Sequence, residues 1–145
     1  MIDYKSDLIV NKPVAKVFAF AADVARMDDW TEMSGTHLVA GQTLGVGSQI
    51  QTTLKIGPSK QSLTFEVAAF EPNRRLGWKT TSTGSLQWDA DYLFESLGEG
   101  TTRVTSSGTI RLTGALKLME GMMAGEIRSG EAKELEKFKE LVEKG

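Results

Sequence analysis

The chain has 145 residues, of which 40% are hydrophobic and 25% are charged, as in an ordinary globular domain with a sizeable core. Its 17 basic and 19 acidic side chains give a formal net charge of -2, so we expect no nucleic acid partner. The absence of cysteine excludes disulfides, thiolate metal sites and cysteine nucleophiles. His37 is the single histidine, which excludes a histidine-rich metal site, and we expect neither a metal nor a cofactor.

The N-terminal segment does not have the pattern of a secretory signal, because no basic stretch precedes an apolar one. No apolar run approaches the roughly 18 residues of a membrane-spanning helix. The methionine-rich stretch near the C-terminus comes nearest, but Lys117, Glu120 and Glu126 interrupt it. We therefore expect a cytoplasmic protein without an integral membrane segment. Residues 1–145 are predicted to form a single domain, present as a monomer or a homodimer.

The first 30 residues are predicted to form a strand followed by two short helices. The strand covers residues 2–10, and Pro13 then suits the first turn of a helix, where its missing N–H costs little. Apolar residues follow at helical spacing up to Ala21. Asp23 is predicted to cap a second short helix over residues 24–29, which ends near Trp30.

The middle of the chain has the two-residue period of strands. We predict strands over residues 36–40, 48–56, 61–71, 76–81, 86–96 and 102–112. The turns between them, among them Gly57-Pro58-Ser59 and Gly84, are short, which favours antiparallel neighbours. Two strands alternate cleanly, and the residues predicted to share their apolar faces are Leu63, Phe65, Val67 and Ala69, and Leu86, Trp88, Ala90, Tyr92 and Phe94.

The last third of the chain, from Thr113 to Gly145, is predicted to form one long helix with two unlike halves. The first half is rich in Met, Gly and Leu, and the second is charged with a clear apolar stripe. Gly121, Gly125 and Gly130 each cost roughly 1 kcal/mol relative to alanine inside a helix. We interpret these glycines as sites of close approach, of a bend or of mobility.

Four short motifs occur in the order and spacing of one known superfamily. They are Pro13-Val-Ala-Lys-Val-Phe18 with Asp23 and Trp30 behind it, Gly45-Val-Gly47, Glu71-Pro-Asn-Arg-Arg-Leu-Gly-Trp78, and Gly100-Thr-Thr-Arg-Val-Thr105. On these motifs, essentially the whole chain resembles the SRPBCC or START-like helix-grip superfamily. That superfamily includes lipid-transfer domains and bacterial polyketide cyclase/dehydrase-like proteins. The resemblance implies an α+β fold: a curved antiparallel sheet of about seven strands, two short helices after the first strand, and a long C-terminal helix over the sheet.

The resemblance also implies a deep apolar cavity between the sheet and the long helix. We therefore predict that the protein binds a small hydrophobic ligand of the lipid, polyketide or isoprenoid kind. The residues predicted to line the cavity are Trp30, Met33, Trp78, Trp88, Tyr92, Leu116, Met119, Met123 and Ile127. Plain core packing is the alternative for each aromatic and methionine. Phe138, in the charged half of the helix, is predicted to be firmly packed.

Two other functions remain open at this point. The chain could be a cyclase or dehydratase-like enzyme acting in the same cavity, with Tyr92, Glu120 or His37 as the acid or base. A surface position for His37, and an ion pair on the helix flank for Glu120, are the alternatives to these catalytic roles. The third hypothesis is a protein-interaction module. We favour binding over catalysis, because no motif in the sequence supplies a reaction.

Overall fold

A seven-stranded antiparallel sheet is the main element of the computed structural model, which describes residues 1–56, 59–81 and 86–145. Its strands are β1 (Ile2–Val10), β2 (Met33–Leu38), β3 (Gln49–Ile56), β4 (Ser59–Glu71), β5 (Arg75–Thr80), β6 (Leu86–Gly98) and β7 (Thr101–Leu112). They lie in the order β1-β7-β6-β5-β4-β3-β2, so the predicted antiparallel arrangement is confirmed. The turns predicted at Gly57-Pro58 and at Gly84 lie outside the described residues.

Two short helices connect the edge strands β1 and β2, as the sequence predicts. Helix α1 (Val14–Ala21) begins after Pro13, whose extended backbone (φ -61°, ψ 146°) suits the start of a helix. A 3₁₀ helix follows at Val24–Asp29. Asp23 occupies the predicted N-cap position of this helix, but its side chain is exposed to solvent and makes no capping hydrogen bond.

The C-terminal segment is one long α-helix, α2 (Glu120–Lys144), preceded by a second 3₁₀ helix at Gly114–Met119. The prediction of a single helix starting at Thr113 is therefore wrong for its first turns. Thr113 is extended (φ -130°, ψ 169°) and Gly114 has a left-handed backbone (φ 63°), so regular α-helical hydrogen bonding cannot begin there. No helix in the described part of the chain is long and apolar enough to span a membrane.

The alternating pattern of β6 fixes which face of the sheet is covered by the helices. Every second side chain of this strand is buried on that face, and the buried ones are Leu86, Trp88, Ala90, Tyr92 and Phe94. On β4 the alternation holds up to Val67, but Ala69 is only half-buried because the register with β5 shifts between these two residues. The predicted faces are thus confirmed except beyond this irregularity.

A tyrosine on β1 reaches across β7 to β6. Tyr4 lies opposite Gly108 in the β1–β7 register, and the Trp88 indole Nε1–H donates a hydrogen bond of 2.9 Å to the Tyr4 hydroxyl. A Cβ atom at position 108 would overlap the Tyr4 hydroxyl and would lie 2.5 Å from the carbonyl oxygen of Asp89. The glycine is therefore required for Tyr4 to hold Trp88 in place.

The second half of α2 packs firmly on the sheet and on α1. Leu135, Phe138 and Val142 are buried along one side of this helix. The Phe138 ring makes edge-on contacts with Trp30, at 4.9 Å between ring centroids, and with Phe20, at 5.5 Å. The predicted packing of Phe138 is confirmed, and this half of α2 holds the helix on the sheet.

Two of the α2 glycines are expected to weaken the fold. A Cβ atom added at Gly121 or Gly125 would meet no atom within 4 Å, which does not support the interpretation of close approach. Gly121→Ala and Gly125→Ala should each raise the free energy of unfolding by about 0.5–1 kcal/mol in urea titrations. Gly108→Ala is the contrasting variant and should lower it, because its new methyl group overlaps Tyr4. Equal effects at the three positions would contradict this account.

Candidate ligand-binding site

A cavity of about 350 Å³ lies between the sheet and the first half of α2. Strands β3, β6 and β7 form its floor, and α2 forms its roof. Its apolar lining residues are Leu54, Leu86, Trp88, Ile110, Leu112, Met123 and Ile127. Its polar lining residues are Glu32, Lys55, Glu126, Glu131 and Glu134, with Gly130 between them on the helix. The mixture of an apolar wall and a few polar groups is typical of small-molecule sites.

Strand register explains why the floor is apolar. Leu86 pairs with Leu112, and Trp88 pairs with Ile110, so two directly opposed pairs on β6 and β7 present their side chains to the same face. Met123 and Ile127 are four residues apart on α2 and face down onto these pairs. The result is a continuous hydrophobic surface on two sides of the cavity.

Gly130 helps to leave the space open. It lies on the roof of the cavity, and a Cβ atom added there would meet no atom within 4 Å. A larger residue at this position on α2 would place its side chain in the cavity, and glycine has no side chain to do so. The glycine that costs helix stability therefore enlarges the cavity.

Two carboxyl groups of α2, Glu131 and Glu134, form the polar side of the cavity. Glu131 is only 6% exposed, and its Oε2 atom is buried without a hydrogen-bond partner among the described residues. Glu134 accepts a 3.0 Å hydrogen bond from the backbone N–H of Glu32. Burial raises the pKa of both carboxyls above the usual value for glutamate, and the charge of Glu131 raises the pKa of Glu134 further.

The charges around the cavity are unbalanced. Four carboxyl groups and one amine, that of Lys55, belong to the described lining residues. In the part of the chain that the structure describes, neither Glu131 nor Glu134 has a basic nitrogen within 4.0 Å. Within the same ranges, no three acidic or histidine side chains are placed to hold a metal ion. The cavity therefore has an acidic side, and no basic group of the described chain forms an ion pair with Glu131 or Glu134 there.

Three of the nine residues predicted to line the cavity lie on its wall, namely Trp88, Met123 and Ile127. Leu116 and Met119 are half-buried on the 3₁₀ helix before α2, and Met33 is buried on β2. None of these last three is among the residues that line the cavity.

The other three predicted lining residues, Trp30, Trp78 and Tyr92, form an aromatic cluster away from the cavity. Trp30 contacts Tyr92 edge-on, at 5.8 Å between centroids, and Trp78 lies 5.4 Å from Tyr92. These rings fill the space under the second half of α2, where Phe138 packs against Trp30. The sheet is therefore filled at one end and open at the other.

The structure places the three predicted acid–base residues outside the cavity. His37 is exposed on β2, where its ring nitrogens lie 2.8 Å from the carbonyl oxygen of Gly35 and 3.1 Å from the Gln51 amide oxygen. Glu120 forms an ion pair with the amino group of Met1. Tyr92 is buried in the aromatic cluster, and burial raises the pKa of its hydroxyl well above the usual value. None of the three is among the residues that line the cavity.

Glu131 and Glu134 were missed by the sequence-based prediction, although α2 carries a signal for Glu131. Glu131 lies four residues after Ile127 and four before Leu135, both of which belong to the apolar stripe. A charged residue within such a stripe must be buried with the stripe or must interrupt it. The spacing thus marks Glu131 as an unusual position, whereas Glu120 lies at the start of the helix.

Comparison with known proteins identifies the family. The family model described as "Polyketide cyclase / dehydrase and lipid transport" matches residues 1–143. The chain is also 32% identical, over 113 residues, to the uncharacterized protein Rv0088 of Mycobacterium tuberculosis. That match covers 74% of this chain and 47% of the relative, so the chain spans about half of the relative's length.

Solved structures share the fold at low sequence identity. TTHA0849 from Thermus thermophilus superposes with a TM-score of 0.80 and 17% identity, covering 97% of this chain and 96% of that one. The Zhui aromatase/cyclase from Streptomyces sp. R1128 gives a TM-score of 0.78 and 13% identity, covering 98% and 93%. These likenesses agree with the helix-grip architecture of the seven-stranded sheet under α2. The chain belongs to the polyketide cyclase/dehydrase and lipid transport family.

Proposed function

We propose that this protein binds a small hydrophobic ligand in the cavity between the sheet and α2. The observation that carries the proposal is the space of about 350 Å³, roofed by Met123 and Ile127 over the apolar floor of β6 and β7. Burying 200 Å² of apolar ligand surface there would contribute about 5 kcal/mol, at roughly 25 cal/mol per Å². The family description, which includes lipid transport, is consistent with this role.

Native mass spectrometry of the purified protein tests the proposal directly. We expect a bound apolar compound that dissociates at higher collision energy and that appears in an organic extract. An empty protein that also fails to bind any member of a panel of lipids and aromatic compounds would contradict it. In that case a protein-interaction role would become the better hypothesis.

A matched pair of variants on α2 links binding to the cavity. Gly130→Phe should place a ring in the cavity and reduce ligand affinity at least tenfold, because Gly130 lies on the roof with open space beside it. Gly125→Phe is the control, since Gly125 is exposed and does not line the cavity. Both changes remove a helix glycine, so stability should change similarly. Equal ligand affinity in the two variants would place the binding site elsewhere.

A second candidate function is acid–base catalysis on the bound ligand, as in a cyclase or dehydratase. One observation favours it: Glu131 is a buried carboxyl that lines the cavity, and its pKa is raised by burial. Glu131 replaces Tyr92, Glu120 and His37 as the candidate acid or base. Incubation of the extracted ligand with the protein, followed by mass spectrometry, separates the two functions. Conversion by the unaltered protein and none by Glu131→Gln would favour the enzyme, and an unchanged ligand would favour the carrier.

A further inference from the structure

We infer that the ligand of this cavity is an organic cation, an ammonium group on an apolar body, and that Glu131 and Glu134 bind the ammonium group. The inference rests on the proposed binding function and narrows its ligand class. It depends on the position, burial and hydrogen bonding of the two carboxyls. Together, these features favour an ammonium ligand over an anionic one.

The strongest indication is the unpaired oxygen of Glu131. This side chain is 94% removed from solvent and lines the cavity, yet its Oε2 atom has no hydrogen-bond partner among the described residues. A buried polar atom without a partner is costly, and buried carboxylates are normally paired with a donor or a cation. A ligand that brings donors to this atom would supply the partner that the described chain lacks.

Glu131 and Glu134 share one hydrogen bond with each other, and their other carboxyl oxygens are acceptors. Trp88 is a lining residue, and its indole N–H already donates to the Tyr4 hydroxyl at 2.9 Å. Lys55 is the other side-chain donor of the described lining, and it is exposed at the edge of the cavity. A ligand carboxylate or ketone would thus meet carboxyl oxygens in the interior. An ammonium group, with only donors, complements them.

Glu134 is already positioned for a shared contact. The backbone N–H of Glu32 holds its Oε1 atom at 3.0 Å, which limits the rotation of the carboxyl group. Glu131 lies one turn earlier on the same side of α2, so the two groups can approach one ammonium from adjacent positions. Trp88 also lines the cavity, and an indole ring is the aromatic group that attracts cations most strongly.

The charges that face the pair come from several elements. Glu126 is on α2, Glu32 precedes β2, and Lys55 is on β3, and all three are exposed to solvent, which screens their effect. Tyr4 on β1 and Tyr92 on β6 lie outside the cavity lining but interact electrostatically with the pair, and burial keeps both hydroxyls neutral by raising their pKa. The pH dependence of cation binding should therefore follow the ionisation of Glu131 and Glu134.

Four probes with the same apolar body test the inference by isothermal titration calorimetry. They are 4-phenylbutylamine, 4-phenylbutyltrimethylammonium, 4-phenylbutanol and 4-phenylbutyrate. At pH 8 we expect 4-phenylbutylamine to bind at least tenfold more tightly than the alcohol and the carboxylate. The quaternary probe keeps its charge at every pH, and its affinity should rise between pH 5 and pH 9 as first Glu131 and then Glu134 loses its proton.

Isosteric variants assign the effect to the two carboxyls. Glu131→Gln should lower the affinity for the amine at least tenfold and leave the alcohol within about twofold. The double variant Glu131→Gln/Glu134→Gln should abolish the pH dependence of the quaternary probe. Glu136→Gln, at an exposed position of α2 outside the cavity lining, is the control and should have little effect. Thermal unfolding of each variant verifies that it is folded.

The outcomes separate this inference from the proposed function. If the alcohol or the carboxylate binds as tightly as the amine, and Glu131→Gln changes nothing, the ammonium inference is overturned while hydrophobic binding stands. If none of the four probes binds and the protein purifies without an apolar compound, the binding function itself fails. Stronger binding of the alcohol at low pH would show that a protonated Glu131 donates a hydrogen bond to a neutral ligand. That result would also overturn the inference of an ammonium ligand.

Discussion

Truncation of Phe138 to alanine is expected to lower the free energy of unfolding by about 3–5 kcal/mol. The ring is 2% exposed and contacts Trp30 and Phe20 edge-on, so its removal leaves a hole at the point where α2 meets the sheet and α1. A small domain is stable by only about 5–15 kcal/mol, so this loss is a large part of the total.

Urea titration of the Phe138→Ala variant, followed by circular dichroism, measures this loss. Met122→Ala is the matched control, because Met122 lies on the same helix and is 80% exposed. Its truncation should change the free energy of unfolding by less than about 0.5 kcal/mol. A loss below about 1 kcal/mol in Phe138→Ala would mean that α2 is held on the sheet by other contacts.

The order and faces of the elements could be predicted because those patterns are local. The two-residue period of β6 assigns Trp88, Tyr92 and Phe94 to one face, and the structure buries all three there. The short connections require antiparallel neighbours from β2 to β7. Such features depend on neighbouring residues in the chain, so a single sequence is sufficient to find them.

The position of the cavity could not be predicted in the same way. Trp88 and Tyr92 have the same period, burial and strand, but Trp88 lines the cavity and Tyr92 packs against Trp30 and Trp78. Aromatic side chains of α1, of α2 and of the end of the first 3₁₀ helix determine which end of the sheet is filled. Those contacts are distant in sequence, and periodicity carries no information about them.

The acidic side of the cavity could be predicted from the sequence only in part. Glu131 occupies a stripe position of α2 between Ile127 and Leu135, which the sequence displays. The hydrogen bond between the Glu32 backbone and Glu134 joins residues 102 positions apart, and no sequence pattern indicates it. The sequence could therefore have identified one unusual carboxyl, whereas the pair required the fold.

Removal of the two buried carboxyl charges is expected to stabilise the protein at neutral and alkaline pH. Both pKa values are raised in the folded state, so folding favours the protonated forms. Below the pKa of an unfolded glutamate, about 4.3, the groups are protonated in both states and folding bears no penalty from them. Between this pH and the raised pKa values, the unfolded chain loses protons that the folded protein keeps, so the stability of the fold decreases over that range.

The double variant Glu131→Gln/Glu134→Gln should therefore be more stable than the unaltered protein by on the order of 2 kcal/mol at pH 8, and equally stable at pH 4. The amide oxygen at position 134 can still accept the hydrogen bond from the Glu32 backbone, so the local structure is retained. Urea titrations at pH 4, 6 and 8 measure the difference, with Glu126→Gln as the exposed control. A constant difference across this range would show that folding does not raise the pKa values of the two carboxyls.

The same variants connect stability to function. An ammonium ligand compensates the buried charge, so adding 4-phenylbutylamine at pH 8 should stabilise the unaltered protein and reduce the advantage of the double variant. The variant has no charge to pair with the amine and should gain little. If the amine stabilises both proteins equally, Glu131 and Glu134 destabilise the fold and have no role in ligand recognition. A selective gain in the unaltered protein would explain why two carboxyls that weaken the fold lie on the wall of an otherwise apolar cavity.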